Sequence, residues 1–220
     1  AGLIHWHDLD YSPVQKLHNC DLVNVDNMFK EGFQMGDTRI EPNDETPFET
    51  ACNLLAQINL QVSSCQYGGQ TVSWSHLVPF IDKSRKQIRK KLIEDMYSTP
   101  NGKLCKKLHI KPYNEKWLNE KVETKLREEI YKGVKTYQYQ VLCHSSSNGQ
   151  TPFVSNNLCL REAITQRELD DYAMLIEEIL KRRIKGVKDA SGHYISPLFP
   201  KLLYWTCDGL NVKPEDPYFY

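Results

Sequence analysis

The sequence carries no surplus of either charge: 28 Lys and Arg stand against 28 Asp and Glu in 220 residues. Proteins that coat a nucleic-acid polymer, or lie on an anionic membrane, usually show a basic excess, so neither partner is expected. No stretch approaches the roughly 18 to 20 consecutive apolar residues that a spanning helix needs. The first residues, AGLIHWHDLD, lack a basic n-region followed by an apolar h-region, so no secretory signal is read there. Seven cysteines, at 20, 52, 65, 105, 143, 159 and 207, form no CxxC pair. An odd count with wide gaps fits neither a disulfide framework nor a zinc-ligand pattern. The expectation is a cytoplasmic chain with reduced thiols, most of them packed as small buried hydrophobes.

What remains is the composition of a soluble globular domain, 40% apolar and 25% charged, long enough for a sizeable core. Asn19 to Val25 reads as a short strand, and Glu31 to Glu45 as a turn-rich connection. Thr46, Pro47 and Glu49 spell a capping box ahead of Leu54, Leu55, Ile58 and Val62 at helical spacing. That helix is expected to break at Tyr67-Gly68-Gly69. A basic amphipathic helix is expected over 83–98, interrupted by Pro100-Asn101-Gly102. A second follows over 116–138, with Trp117, Val122, Leu126, Ile130, Val134 and Tyr137 on one stripe. The two suggest a helical excursion at about 83–138, used for association. Gln140 to Cys143 reads as a strand before a polar loop over 145–153. The clearest helix spans Gln166 to Lys185, with acids in its first turns, bases in its last, and Gly186 as a stop. Phe199 to Trp205 reads as a buried strand. Strands separated by long helices imply an α/β fold with parallel pairing.

Several constellations could carry chemistry. His5, His7, Asp8 and Asp10 lie within six residues. A His-x-His pair can hold a metal and a His–Asp pair can move a proton, while the same groups can simply cap turns. Cys20, between Asn19 and Asp21, is a reactive thiol if it faces a cavity and an inert one if it is packed. The segment Ser63 to Gln70 offers hydroxyls, amides and bare backbone N–H groups suited to a phosphate or sugar, without the lysine of a P-loop. Six of the nine residues from Lys83 to Lys91 are basic. They form either a solvated helix face or a site for a nucleoside triphosphate at a subunit interface.

Five motifs in order, HxHDLDY at 5–11, HNCxLVN at 18–24, QVxSxQYGGQT at 61–71, NGQTPF at 148–153 and FPKL at 199–202, resemble the anaerobic (class III) ribonucleoside-triphosphate reductases. The resemblance covers nearly the whole chain. It implies a glycyl-radical enzyme built on a ten-stranded α/β barrel of two parallel half-barrels, of which this chain would be the first half. It implies a radical-SAM activating partner with an iron–sulfur cluster, a downstream glycyl radical and structural zinc, and formate as reductant in many members. Ribonucleoside triphosphates would be substrates, ATP and deoxynucleotides the effectors, and a homodimer the assembly. Cys20 would be the catalytic thiol that donates hydrogen towards the 2′ position of the ribose. Ser64, Gln66, Gly68 and Gly69 would orient ribose or phosphates, Asn19 would steady the strand, and His5, His7, Asp8 and Asp10 would line the pocket floor. The helices over 83–98 and 116–138 are candidates for the effector site.

Two positions depart from the family pattern. Many members have Asn-Cys-Cys where this chain has Asn19-Cys20-Asp21, and many have Ser in place of Cys65. Cys65 could be a second redox thiol or a local packing change. No segment matches the family's ATP-cone, its cysteine-tipped finger loop, its glycyl-radical segment or its four-cysteine zinc site. The chain is therefore expected to be a piece covering the first part of the barrel, binding no cofactor and inactive alone. A non-catalytic nucleotide-binding or dimerisation module on the same half-barrel is the alternative. A pyruvate formate-lyase relative would share the barrel but gives no reason for Gln66 to Gly69.

Overall fold

The computed structural model describes residues 19–43, 45–66, 68–145, 149 and 151–219. Four strands, β1 (Asp21–Val23), β4 (Gln70–Ser73), β5 (Val154–Leu158) and β8 (Lys201–Tyr204), form one sheet in the order β1-β4-β5-β8. Every pairing is parallel, with Leu22 opposite Thr71, Thr71 opposite Ser155 and Ser155 opposite Lys201. Strand order thus follows chain order with no reversal. A doubly wound sheet reverses at a switch point, whereas a singly wound barrel does not.

Among the described residues, helices cover one face of this sheet only. These are α2 (Phe48–Ser64), α3 (Val78–Ser98), α5 (Glu115–Cys143) and α6 (Gln166–Lys185). Val72, Val154 and Leu158 from the strands pack with Leu55, Ile58, Val134, Tyr137, Val141, Tyr172 and Ile176 from the helices. Smaller elements complete the chain: α1 (Val25–Glu31), the hairpin β2 (Phe33–Met35) and β3 (Thr38–Ile40), α4 (Pro100–Lys107), and the two-residue strands β6 (Val187–Lys188) and β7 (Tyr194–Ile195). The helices over 83–98 and 116–138 lie within α3 and α5; the second gives Leu126, Ile130, Val134 and Tyr137 to this core, whereas from the first Ile88 packs against it partly buried.

The helix over 166–185 forms as the sequence predicts. The Thr165 side chain accepts from the Glu168 N–H, the Glu168 carboxylate accepts from the Thr165 N–H, and Gly186 ends the helix at φ 71°. Burying Tyr172, Leu175, Ile176 and Ile179 contributes ~1.5–3 kcal/mol for each side chain.

Elsewhere tertiary partners override local signals. Thr46 does not cap α2. Pro47 occupies the cap position, and the Phe48 N–H is satisfied by the Ser84 hydroxyl of α3, at 2.7 Å. Pro100 starts α4 instead of only interrupting a helix, because the Thr99 side chain accepts from the Gly102 N–H. Gln140 to Cys143 is the last turn of α5, with Val141 buried, and not a strand. Trp117 is 42% exposed, since Leu118, one residue on, takes the inward position. Phe199 to Trp205 is shorter and more open than a buried strand: only Lys201–Tyr204 pairs, and Leu203 and Trp205 are exposed. The turn-rich stretch contains the β2–β3 hairpin. Only Cys52 and Cys207 are buried, so most thiols are not core residues.

A second layer of order lies under the sheet. The Gln70 side-chain amide donates to the Asn59 carbonyl at 2.6 Å, and Asn59 Nδ2 donates to the Tyr137 hydroxyl at 2.8 Å. That hydroxyl donates to Asn156 Oδ1 at 3.0 Å. All four side chains are buried, so the chain of bonds ties β4, α2, α5 and β5 at the depth where a missed partner costs most.

Candidate functional site

Because side chains alternate along a strand, the face turned away from the helices carries Leu22, Thr71, Ser73, Ser155, Asn157 and Leu203. Leu22 is 86% exposed, so nothing among the described residues covers this face at β1. Cys20, two residues before Leu22, shares that parity and is also exposed. Its Sγ donates to Asn19 Oδ1 at 3.5 Å.

The entrance to β1 is shaped by the entrance to β4. The Asp21 N–H donates to the Gly69 carbonyl at 3.1 Å, and the Gln70 N–H to the Phe153 carbonyl at 2.9 Å. A Cβ on Gly68 would overlap the carbonyl and side-chain oxygens of Asn19, so the chain passes here only as glycine. The buried Gln66 holds this turn through Nε2, which donates to the Gly68 carbonyl at 3.2 Å. The structure therefore brings together Asn19, Cys20, Gln66, Gly68 and Gly69 of the sequence-predicted residues. Ser64 stands apart chemically: its hydroxyl donates back to the Leu60 carbonyl of its own helix at 3.1 Å. His5, His7, Asp8 and Asp10 lie outside the described residues.

A second polar cluster occupies the other end of the open face, at the carboxyl ends of the strands. Glu162 accepts from the Ser73 hydroxyl and, at 2.7 Å, from Asn157 Nδ2. Asn157 Oδ1 accepts from the Trp205 indole at 2.6 Å. Ser73, Asn157 and Trp205 border a cleft of about 600 Å³ that also takes in Asn24, Thr71 and His76. Burial pushes the His76 imidazole below its ordinary value, against the pull of Asp26 and Glu162, and favours its neutral form. Sequence reasoning missed Ser73, Asn157, Glu162 and Trp205 as a group. They are spread over more than a hundred residues, and only strand pairing gathers them. No local signal marks them: Val154–Leu158 carries Ser155, Asn156 and Asn157 in a row, without alternation.

The basic run at 83–91 is largely engaged within the chain. Arg85 forks onto Asp171, at 3.0 and 2.5 Å, and reaches Glu123 at 2.8 Å. Arg89 contacts Glu115 and Asn119, Lys86 pairs with Asp82, and Lys83 donates to the Asn43 carbonyl. Among the described residues no cluster of three or more His, Cys, Asp or Glu is arranged to hold a metal ion. No helix among them is long and apolar enough to cross a membrane.

A singly wound parallel sheet with long helices packed against it places the chain in the α/β class. Residues 1–220 match the family model described as anaerobic ribonucleoside-triphosphate reductase, and the chain belongs to that family. It is 34% identical over 223 residues to the anaerobic ribonucleoside-triphosphate reductase of Enterobacteria phage T4, an alignment covering 99% of this chain and 31% of that protein. To the protein of the same name from Escherichia coli K12 it is 34% identical over 218 residues, 98% of this chain and 26% of the relative. The chain thus spans between about a quarter and a third of the length of these curated relatives.

Proposed function

We propose that this chain is the first half-barrel of an anaerobic ribonucleoside-triphosphate reductase, and that Cys20 is one of its catalytic thiols. The observation that carries the reading is the placement of Cys20. It directly precedes the first strand of a parallel sheet and is exposed, and its neighbours Asn19 and Asp21 meet the Gly68-Gly69 turn that the family motif contains. Four parallel strands in chain order with helices on one side support a place within a five-stranded half-barrel, whose interior would be the open face.

In the whole enzyme a glycyl radical, installed by a radical-SAM partner, supplies the radical chemistry, and a ribonucleoside triphosphate loses its 2′ hydroxyl as water while formate is oxidised. The residues of this chain bind and orient. The Cys20 S–H serves as a hydrogen-atom donor on one face of the ribose, and Asn19 Oδ1 fixes where that hydrogen points. Backbone at Gly68 and Gly69 lets a ribose or phosphate approach closely, and Gln66 keeps that turn rigid. The products are deoxyribonucleoside triphosphates for DNA synthesis in cells growing without oxygen. Effector nucleotides and a homodimer, through helices α3 and α5, belong to the same reading, as does a cytoplasmic location. Catalysis needs groups on both faces of the ribose, so the 220 residues alone bind but do not turn over.

The test is an anaerobic assay of the protein encoded by the complete reading frame around this chain, activated and supplied with formate. Conversion of ribonucleoside triphosphates to deoxyribonucleoside triphosphates is the expected result. Nucleotide binding without conversion would replace the proposal with a binding module.

A further inference from the structure

A small cavity of about 20 Å³, room for one water-sized guest, lies on the helix side of the sheet between α5, α6 and the start of β8. Two buried residues that border it carry an N–H without a partner: Trp74, the residue after β4, at Nε1, and Arg182 of α6 at Nε. Trp74 is fully buried and Arg182 is 4% exposed, so bulk water does not satisfy either group. The other contacts of Arg182 do not neutralise it. Its Nη2 donates to Gln138 Oε1 at 3.3 Å, and its guanidinium lies 5.4 Å from the centre of the Tyr131 ring. Glu178, one turn earlier on α6, attracts it electrostatically, but among the described residues no carboxylate forms an ion pair with it. Arg183, also at the cavity, is half-buried and donates to the Pro197 and Pro200 carbonyls.

The acceptors around the cavity are already engaged. Asn156 Oδ1 takes the Tyr137 hydroxyl, Gln138 Oε1 takes Arg182, and the Pro200 carbonyl takes Arg183. The unmet demand is for an acceptor, beside two guanidinium groups and against the apolar walls of Val134, Ile179 and Leu202. A water would bring two donors of its own to a wall whose acceptors are in use. A phosphate is too large for the space. A monatomic anion accepts from every side, brings no proton, and offsets a buried cation that has no other counter-charge. We propose that this cavity is a halide site, in which one chloride ion accepts from Arg182 Nε and Trp74 Nε1. The ion ties α6 to the segment after β4, beside the buried Tyr137–Asn156 pair, and makes the stability of this layer depend on chloride. The site lies across the sheet from the open face, so the inference does not rest on the proposed reaction.

The test uses the complete protein encoded by the reading frame around this chain, crystallised from sodium bromide, with anomalous diffraction recorded at the bromine absorption edge. The expected result is one anomalous peak in the cavity, within hydrogen-bond reach of Arg182 Nε and Trp74 Nε1. The peak should vanish in Arg182→Met, which keeps the stem and removes the cation. It should weaken in Trp74→Phe, which keeps an aromatic ring and removes the donor. In solution, urea unfolding in sodium chloride is compared with sodium gluconate at equal ionic strength. The folded-to-unfolded ratio should rise about tenfold for each tenfold increase in chloride above its dissociation constant, and only in chloride. Where Arg182→Met fails to fold, the wild-type peak and Trp74→Phe decide. A wild-type cavity without anomalous signal, whether empty or holding a water, would overturn the proposal. So would a peak that persists in Arg182→Met, or a stability that rises equally in gluconate.

Discussion

Gly68 lies directly against Asn19: its Cα has no room for a side chain, because the Asn19 carbonyl and side-chain oxygens occupy the space a Cβ would take. The neighbour of Cys20 is thus located by the turn before β4. Gly68→Ala must displace backbone, and is expected to destabilise the chain by ~1–3 kcal/mol. Gly69→Ala meets only the Phe153 carbonyl at 3.6 Å, an ordinary contact, and should cost clearly less. Urea denaturation of the two variants measures the difference, and equal losses would show that the Gly68–Asn19 contact is not what fixes this corner.

Arg85 is the tie between α3, α5 and α6. Its side chain is 13% exposed and that of its partner Asp171 5%, and the contact is a two-pronged fork. Arg85→Ala leaves the buried Asp171 with only the half-exposed Arg167, at 3.6 Å, and is expected to cost up to ~3–5 kcal/mol. Lys86→Ala removes a surface pair with Asp82 and should cost ~0–1 kcal/mol. Arg85→Lys should recover only part of the loss, since an ammonium cannot fork. Thermal denaturation of the three variants checks the order.

How far these arrangements are legible in sequence depends on where each signal resides. Helix α6 could be read because its start, stop and apolar stripe are all local: Thr165 with Glu168, Gly186, and the run from Leu169 to Leu180. The start of α2 could not, because the Ser84 hydroxyl that satisfies Phe48 lies 36 residues away. Strand β5 escaped notice because Ser155, Asn156 and Asn157 look like loop residues. Asn156 is tolerated inside only because Tyr137, from a helix, donates to it. Gln140 to Cys143 looks like a strand, yet α5 runs on through it, where Val141 keeps the inward position of Val134 and Tyr137. In the candidate site, Cys20 and the Gly68-Gly69 turn were visible as motifs. The Glu162 cluster was not, since strand pairing alone assembles it.

His76 gives the fold a pH dependence of defined sign. Burial lowers its folded-state value below the ordinary 6.5. The unfolded chain therefore takes up the proton first as pH falls, and the stability associated with neutral His76 is fully present above about 6.5 and lost below it. His76→Gln should flatten the fall in Tm between about pH 7.5 and 5.5. An unchanged slope in the variant would assign the acid sensitivity to other groups.

The measurement that bears most directly on the central claim is deoxynucleotide formation by the complete, anaerobically activated protein carrying Cys20→Ala, compared with Cys65→Ala. With Cys20 as hydrogen donor, the first variant should form no deoxyribonucleoside triphosphate while still binding its nucleotide, and the second should keep turnover. Turnover retained by Cys20→Ala would contradict the account.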